Sequence, residues 1–150
     1  GDPDVFQGQG DGLLQPFVSA ATHLSGFNLM AFTQLRIPFD DDDSSFWDLS
    51  LHADYPSGDF YPTFEAHLFH VYDAGKRIGL TGEGADVINF GASEVDGHTT
   101  VNLAVGGRYR ASENVDLGLG YEFTVTDNDD VFGSRLTVDL IFRLPGFTLA

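Results

Sequence analysis

The sequence predicts an all-β chain: an antiparallel up-and-down transmembrane β-barrel, or part of one, with about seven long strands. Three observations predict it. Apolar and polar residues alternate along most of the chain, the alternating runs are about 11 to 13 residues long, and tight turns alternate with longer links.

Strands are expected near 12–24, 27–39, 46–55, 60–73, 99–111, 115–126 and 134–144. The first alternates loosely. In the second, Phe27, Leu29, Ala31, Leu35 and Ile37 oppose Asn28, Gln34 and Arg36, while Met30 and Phe32 fall on the polar side. In the third, Trp47, Leu49, Leu51, Ala53 and Tyr55 oppose Asp48, Ser50, His52 and Asp54. The fourth is less regular, because Phe69 and Val71 share a face with Glu65 and His67. Val101, Leu103, Val105 and Tyr109 oppose Asn102, Arg108 and Arg110 in the fifth. In the sixth, Val115, Leu117, Leu119, Tyr121, Phe123 and Val125 oppose Asp116, Gly118, Gly120, Glu122, Thr124 and Thr126 without exception. Leu136, Val138, Leu140, Phe142 and Leu144 oppose Arg135, Thr137, Asp139 and Arg143 in the seventh, with Ile141 out of pattern.

Length separates these runs from ordinary strands. Soluble strands cluster near 5 or 6 residues, whereas a tilted strand needs about 9 to 11 to cross a hydrocarbon core. The links add an independent pattern. Ser25-Gly26, Pro56-Ser57-Gly58-Asp59 and Ser112-Glu113-Asn114 read as tight turns, alternating with links at 40–45, 74–98 and 127–133. Transmembrane barrels pair short periplasmic turns with longer outer loops, so this order puts the C-terminal end on the periplasmic side. The glycine-rich 74–98 link is long enough to fold over or into a lumen, with Val87 to Phe90 as an additional short strand.

Composition agrees with a folded sheet protein. Eighteen glycines, fourteen phenylalanines and five tyrosines against a single methionine disfavour helices and suit a pleated surface. A formal charge of -16 repels nucleic-acid phosphates and excludes DNA or RNA as a partner. The absence of cysteine removes disulfides and thiolate metal sites. No run approaches the roughly 18 apolar residues of a spanning helix, so any membrane must be crossed by strands. The start Gly1-Asp2-Pro3-Asp4 has neither an initiator methionine nor a basic and apolar leader, which suggests a processed chain or a segment.

Alternation alone fits a soluble barrel equally well, since that fold turns its apolar face inward. Two features favour the opposite orientation. Five of the seven basic residues, Arg36, Arg108, Arg110, Arg135 and Arg143, share the polar faces with Asp48, Asp54, Glu65, Asp116, Glu122 and Asp139. With His52, these are the candidate lumen-lining residues, able to form arginine–carboxylate pairs between strands. Aromatics such as Phe27, Phe39, Trp47, Tyr55, Tyr72, Tyr109 and Phe123 lie toward strand ends, where amphipathic rings meet a membrane interface.

No catalytic constellation emerges, and neither a cofactor nor a metal is expected. Gly8-Gln9-Gly10-Asp11-Gly12 and Gly82-Glu83-Gly84 precede no helix that would present its N-terminus to a phosphate. Asp127-Asn128-Asp129-Asp130 opens like a calcium loop, but Phe132 and Val138 occupy the positions that require glycine and glutamate. His67 and His70 are three apart and face opposite sides of a strand. There is no Gly-x-Ser-x-Gly elbow, and Ser50 and His52 lie among the lumen-side candidates rather than on a lipid face. The link acids, Asp40 to Asp43 among them, are expected to be solvated, with divalent binding at a lipopolysaccharide surface as the alternative.

Three stretches carry a family resemblance: Glu83 to Gly91, Tyr121 to Asp127, and Arg135 to Arg143. They resemble the C-terminal half of an uncharacterised family of bacterial outer-membrane β-barrel proteins, over most of residues 5–144. The resemblance implies a location in the bacterial outer membrane and contact with its lipid; it implies no activity. Such barrels commonly finish on an aromatic residue, whereas this chain continues past Leu144 through Pro145-Gly146-Phe147-Thr148-Leu149-Ala150.

Residues 1–150 are therefore expected to form a single β-barrel domain, the C-terminal portion of a larger barrel. Seven strands is an odd number and single-chain bacterial barrels are even, so a second chain, a cleaved segment or a symmetry mate is expected to supply an odd number of strands. The functional expectation is a porin-like passive pore or a structural membrane protein with a charged lumen, and not an enzyme. The alternative is a soluble secreted β-sandwich or barrel binding a carbohydrate or lipid, with Trp47 and Tyr55 as platform or core residues.

Overall fold

The structure is a computed structural model of the 150-residue chain, and it describes residues 12–76, 93–127 and 133–143. The expected strand between Val87 and Phe90, the glycine motifs near Gly8 and Gly82, the stretch Asn128 to Phe132 and the tail from Leu144 lie outside the described residues.

Among the described residues, eight strands form one antiparallel sheet, in the order β1 (Leu13–Leu14), β2 (Phe17–Leu24), β3 (Phe27–Pro38), β4 (Ser45–Asp54), β5 (Phe60–Asp73), β6 (Thr99–Ser112), β7 (Val115–Thr124) and β8 (Ser134–Phe142). Neighbours in sequence are neighbours in space. The exception is β1, which pairs with the C-terminal end of β3 while β2 pairs with the rest of it. β1 and β2 thus form a single edge interrupted at Gln15-Pro16. Pro16 has no N–H to give the ladder, but its carbonyl still accepts from Leu35 N at 3.1 Å. Seven strand positions result, as the alternation predicts.

The sheet is not closed: β1 with β2 at one side, and β8 at the other, have no further strand among the described residues. It is nevertheless curled. Phe32 and Gln34 of β3 line the same hollow as Arg135 of β8, so the face they share is concave.

Turn chemistry sets the register. Ser25 and Gly26 both have positive φ, 52° and 90°, the two-residue hairpin geometry whose twist matches that of the flanking strands. The β6–β7 turn carries a bulge between Arg110 and Ser112. A 3-10 turn at Ser93–Val95 ends the long link before β6.

The concave face is polar and the convex face apolar. Among the described residues, only Phe46, Val71 and Val95 are buried hydrophobics, whereas twenty-four large hydrophobic residues are exposed. In a chain with 42% hydrophobic residues, the described residues thus form almost no internal core. Leu119 is 58% exposed and Val138 74%, while Asp116 is 3% exposed and Asn102 8%. This inverts the usual partition, in which apolar side chains are the buried ones.

The small core sits at the loop end of the concave face. Phe69 and Val71, which break the alternation of β5, meet Phe46 of β4 there, and Val95 covers them from the link. The rings of Phe46 and Phe69 are 4.5 Å apart. Gly97 N donates to Val71 O and Val71 N donates to His98 O, so residues 95–98 are tied onto this end. Met30 and Phe32, the apolar residues on the polar side of β3, lie toward the open edge, where Phe32 meets the ring of Phe17.

Candidate functional site

The register brings every sequence-predicted lumen residue to the concave face, and it stacks them in layers. Nearest the tight turns, Arg110 pairs in register with Asp116, and Arg143 follows β8 on the same side. The next layer is Tyr61, Arg108, Gly118 and Asp139. Then come Asp54, Thr63, Gly106, Gly120 and Thr137. The fourth layer holds His52, Glu65, Ala104, Glu122 and Arg135. Beyond it are Ser50, His67, Asn102 and Thr124, followed by Asp48, Phe69 and Thr100. Arg36 lies at the loop end, opposite Phe46.

Most of these groups are tied to each other. Arg143 grips Asp116 with both terminal nitrogens, one of them at 3.1 Å, and Arg110 Nε lies 3.9 Å from the same carboxylate. Arg110 also donates to Tyr61 Oη at 2.8 Å, with its guanidinium 5.4 Å from the ring centre. Arg108 Nη2 donates to Asp139 Oδ2 at 3.4 Å across the intervening Gly118. Arg135 donates to Glu122, whose other oxygen accepts from Asn102 Nδ2 at 3.3 Å.

Toward β2 the ladder becomes a chain of hydrogen bonds. His23 Nδ1 lies 3.0 Å from Asn28 Oδ1, and Asn28 Nδ2 donates to Asp54 at 2.7 Å. His52 bridges Asp54 and Glu65 at 3.1 and 2.8 Å, and His67 Nε2 is 3.8 Å from Glu65. Asp48 accepts from Gln34 Nε2 at 2.6 Å, and Gln34 in turn accepts from Gln15. At the loop end Arg36 packs on the Phe46 ring, 5.1 Å from its centre, with the buried Asp43 at 3.6 Å.

Sequence reasoning placed Ser50 beside His52 and missed its cross-strand neighbour. Ser50 Oγ lies 3.0 Å from His67 Nδ1. Ser50, His67 and Glu65 are the residue types of a hydrolytic triad, but an acyl-transfer site also needs donors for the oxyanion. The backbone amides of β4 and β5 around these residues lie within a continuous antiparallel ladder, and the Asn102 amide is engaged by Glu122. The arrangement reads as a positioning network. Only the register, which pairs Ser50 with His67, could have revealed it.

The convex face carries its own order. Phe27, Tyr55, Phe60 and Tyr109 mark the turn end, and Trp47, Tyr72 and Phe123 the loop end. Phe27 and Tyr55 rings are 5.0 Å apart. The ring of Phe60 covers Gly107: a Cβ added there would meet it at 2.7 Å. The polar atom of Trp47 does not face outward unpaired, because Nε1 donates to Thr33 Oγ1 at 2.7 Å and that hydroxyl donates to Asp48 O at 2.9 Å. His70, on this same face, is 2.8 Å from Thr99 Oγ1.

The acidic link Asp40 to Asp43 is occupied internally. Asp40 accepts from the backbone N–H of Asp42 and Asp43, while Asp41 takes the Lys76 ammonium. That ammonium holds the Asp41 carboxyl below the usual carboxylate range, and Asp41 raises Lys76 in return. Among the described residues, no group of three or more His, Asp or Glu side chains is placed to hold a metal ion. Among the described residues, no helix is long and apolar enough to cross a membrane, which says nothing of a β-barrel. No family model, curated protein or solved structure matches the chain.

Proposed function

We propose that this sheet is the lipid-facing wall of a bacterial outer-membrane β-barrel, acting as a passive pore for small solutes or as a structural membrane protein. The observation that carries the reading is the inverted partition of side chains: Leu136, Val138, Leu140 and Phe142 are all more than half exposed, whereas Asp116 and Asn102 are buried. Exposing one large apolar side chain to water forgoes about 1.5–3 kcal/mol. About twenty of them stand on the convex face; left in water they would far exceed the marginal stability of a soluble domain, and contact with acyl chains removes that cost.

The backbone fits the same environment. A bilayer core tolerates only structures whose N–H and C=O groups are satisfied internally, as a strand ladder does between its edges. The two aromatic bands correspond to the two interfaces, and the polar groups of Trp47 and Thr33 satisfy one another on the lipid side. Orientation follows from the links: the tight turns at Ser25-Gly26, Pro56 to Asp59 and Glu113-Asn114 face the periplasm, the longer ones the outside. The open edges at β2 and β8 require an odd number of further strands to close an antiparallel barrel, from another segment or chain.

Fractionation tests the reading. The protein should remain in the membrane pellet after carbonate wash, need detergent for release, and migrate differently in gels with and without heating. Release into plain buffer as a monodisperse species would mean that protein, not lipid, covers the convex face, as in a soluble sandwich.

A further inference from the structure

The concave face separates charge along the strands, which a ladder of neutralising pairs does not by itself require. In the two layers nearest the turns, Arg108, Arg110 and Arg143 face Asp116 and Asp139, an excess of one positive charge. Farther along, Glu65 and Glu122 face Arg135 and His52, an excess of one negative charge when the imidazole is neutral, and Asp54 adds another at the β4 side of the layer between. The floor of that middle layer is bare. Gly106 pairs with Gly120, flanked by Thr63 and Thr137, and a Cβ built on Gly120 meets nothing within 4 Å. These groups line one hollow of about 520 Å³, within the usual range of small-molecule sites.

We propose that this hollow binds short peptides with free termini, the carboxylate held by Arg108 and Arg110 and the ammonium by Glu65. The two arginines are suited to a second carboxylate. Each has only one long contact to its own acid, 3.4 Å for Arg108 and 3.9 Å for Arg110, and a guanidinium carries five donors. Arg143, by contrast, is committed to Asp116 by both terminal nitrogens. Tyr61 fixes Arg110 from one side and is covered by it, so no bare inward ring remains in this hollow as a sugar platform.

The spacing selects the length. Arg108 and Ala104, which share their layers with the two charged groups, are four residues apart on β6, about 14 Å along the strand. The arginine side chains span part of that distance, and an extended peptide of about three residues, near 10 Å, bridges the rest. A free amino acid is too short to reach both ends. The inference rests on the pore reading only for how a solute arrives; the binding groups are present on the face regardless.

The test uses the full chain in detergent micelles and three probes: triglycine, its N-acetyl form and its C-terminal amide, titrated by calorimetry. Blocking either terminus should weaken binding about tenfold, the scale of one charge-assisted hydrogen bond. Arg108→Gln should weaken triglycine binding about tenfold and leave the amide's binding unchanged, and Glu65→Gln should act likewise toward the acetylated form. Equal binding of the three probes to the unchanged protein, or binding of none, would overturn the proposal even if a variant misfolds. Heating-dependent gel migration of the same sample reports the membrane reading separately. A barrel that fails to discriminate the probes loses this site alone, and a buffer-soluble protein that discriminates them keeps the site and loses the barrel.

Discussion

Arg108 on β6 reaches Asp139 on β8 across a whole strand, 3.4 Å from nitrogen to oxygen, because the residue between them is Gly118. A Cβ added to Gly118 would lie 2.2 Å from the Asp139 carboxylate. Glycine here serves a side-chain contact rather than a turn.

The concave glycines should therefore respond unequally to alanine. At Gly118 the obstacle is the movable end of Asp139, so Gly118→Ala should break the pair at a cost of about 0–1 kcal/mol, since both partners are nearly half exposed. At Gly106 the obstacles are backbone, Leu119 O at 2.5 Å and Gly120 Cα at 2.9 Å, and Gly106→Ala should cost about 1–3 kcal/mol. Gly120→Ala should be nearly neutral, as the space above it is open. Urea unfolding of the three variants in the same detergent or lipid orders them.

Thr33 should matter through the indole it accepts. Thr33→Val keeps the shape of the convex face but leaves Trp47 Nε1 without its 2.7 Å acceptor, at a cost of about 1–3 kcal/mol in an apolar surrounding. Thr33→Ser should restore most of it. Equilibrium unfolding in lipid vesicles followed by tryptophan fluorescence measures both.

Val95 should hold the link to the sheet. Val95→Ala removes two methyl groups from the Phe46 and Val71 cluster, a loss of about 1–3 kcal/mol with the cavity included. Because Gly97 donates to Val71 O next to it, hydrogen exchange at the Gly97 amide should accelerate more than exchange within β7.

The Asp41 and Lys76 pair sets a pH dependence for the loop side. Lys76 lowers the Asp41 carboxyl from its ordinary 3.8, so the tether is present above that value and is lost as pH falls through the lowered one. Asp41 raises Lys76 from 10.5, so the ammonium's share is present below that value and is lost as pH rises through the raised one. Both groups are mostly exposed, so salt screens them. Asp41→Asn should leave the thermal midpoint unchanged in 0.15 M salt, on the order of physiological ionic strength.

The strands were legible because period-two alternation is local, and the strand expected at 60–73 coincides with Phe60–Asp73. What disturbed the pattern had distant causes. Phe69 and Val71 face the polar side because Val95, some two dozen residues later in the chain, covers them. The break at Pro16 was visible as a residue, but not that β1 and β2 would share β3. For the concave face, alternation assigned each side chain to a side and could not say which side would curl inward or who would meet across strands. Ser50 with His67, and Arg108 with Asp139 over Gly118, are facts of register.

Trp47 is the single tryptophan, and it stands on the convex face. In vesicles whose lipids are brominated on the acyl chain near the headgroup, its fluorescence should be strongly quenched, while iodide in the surrounding water should have little effect. Efficient iodide quenching, with no response to the brominated chains, would contradict the placement of the apolar face against lipid.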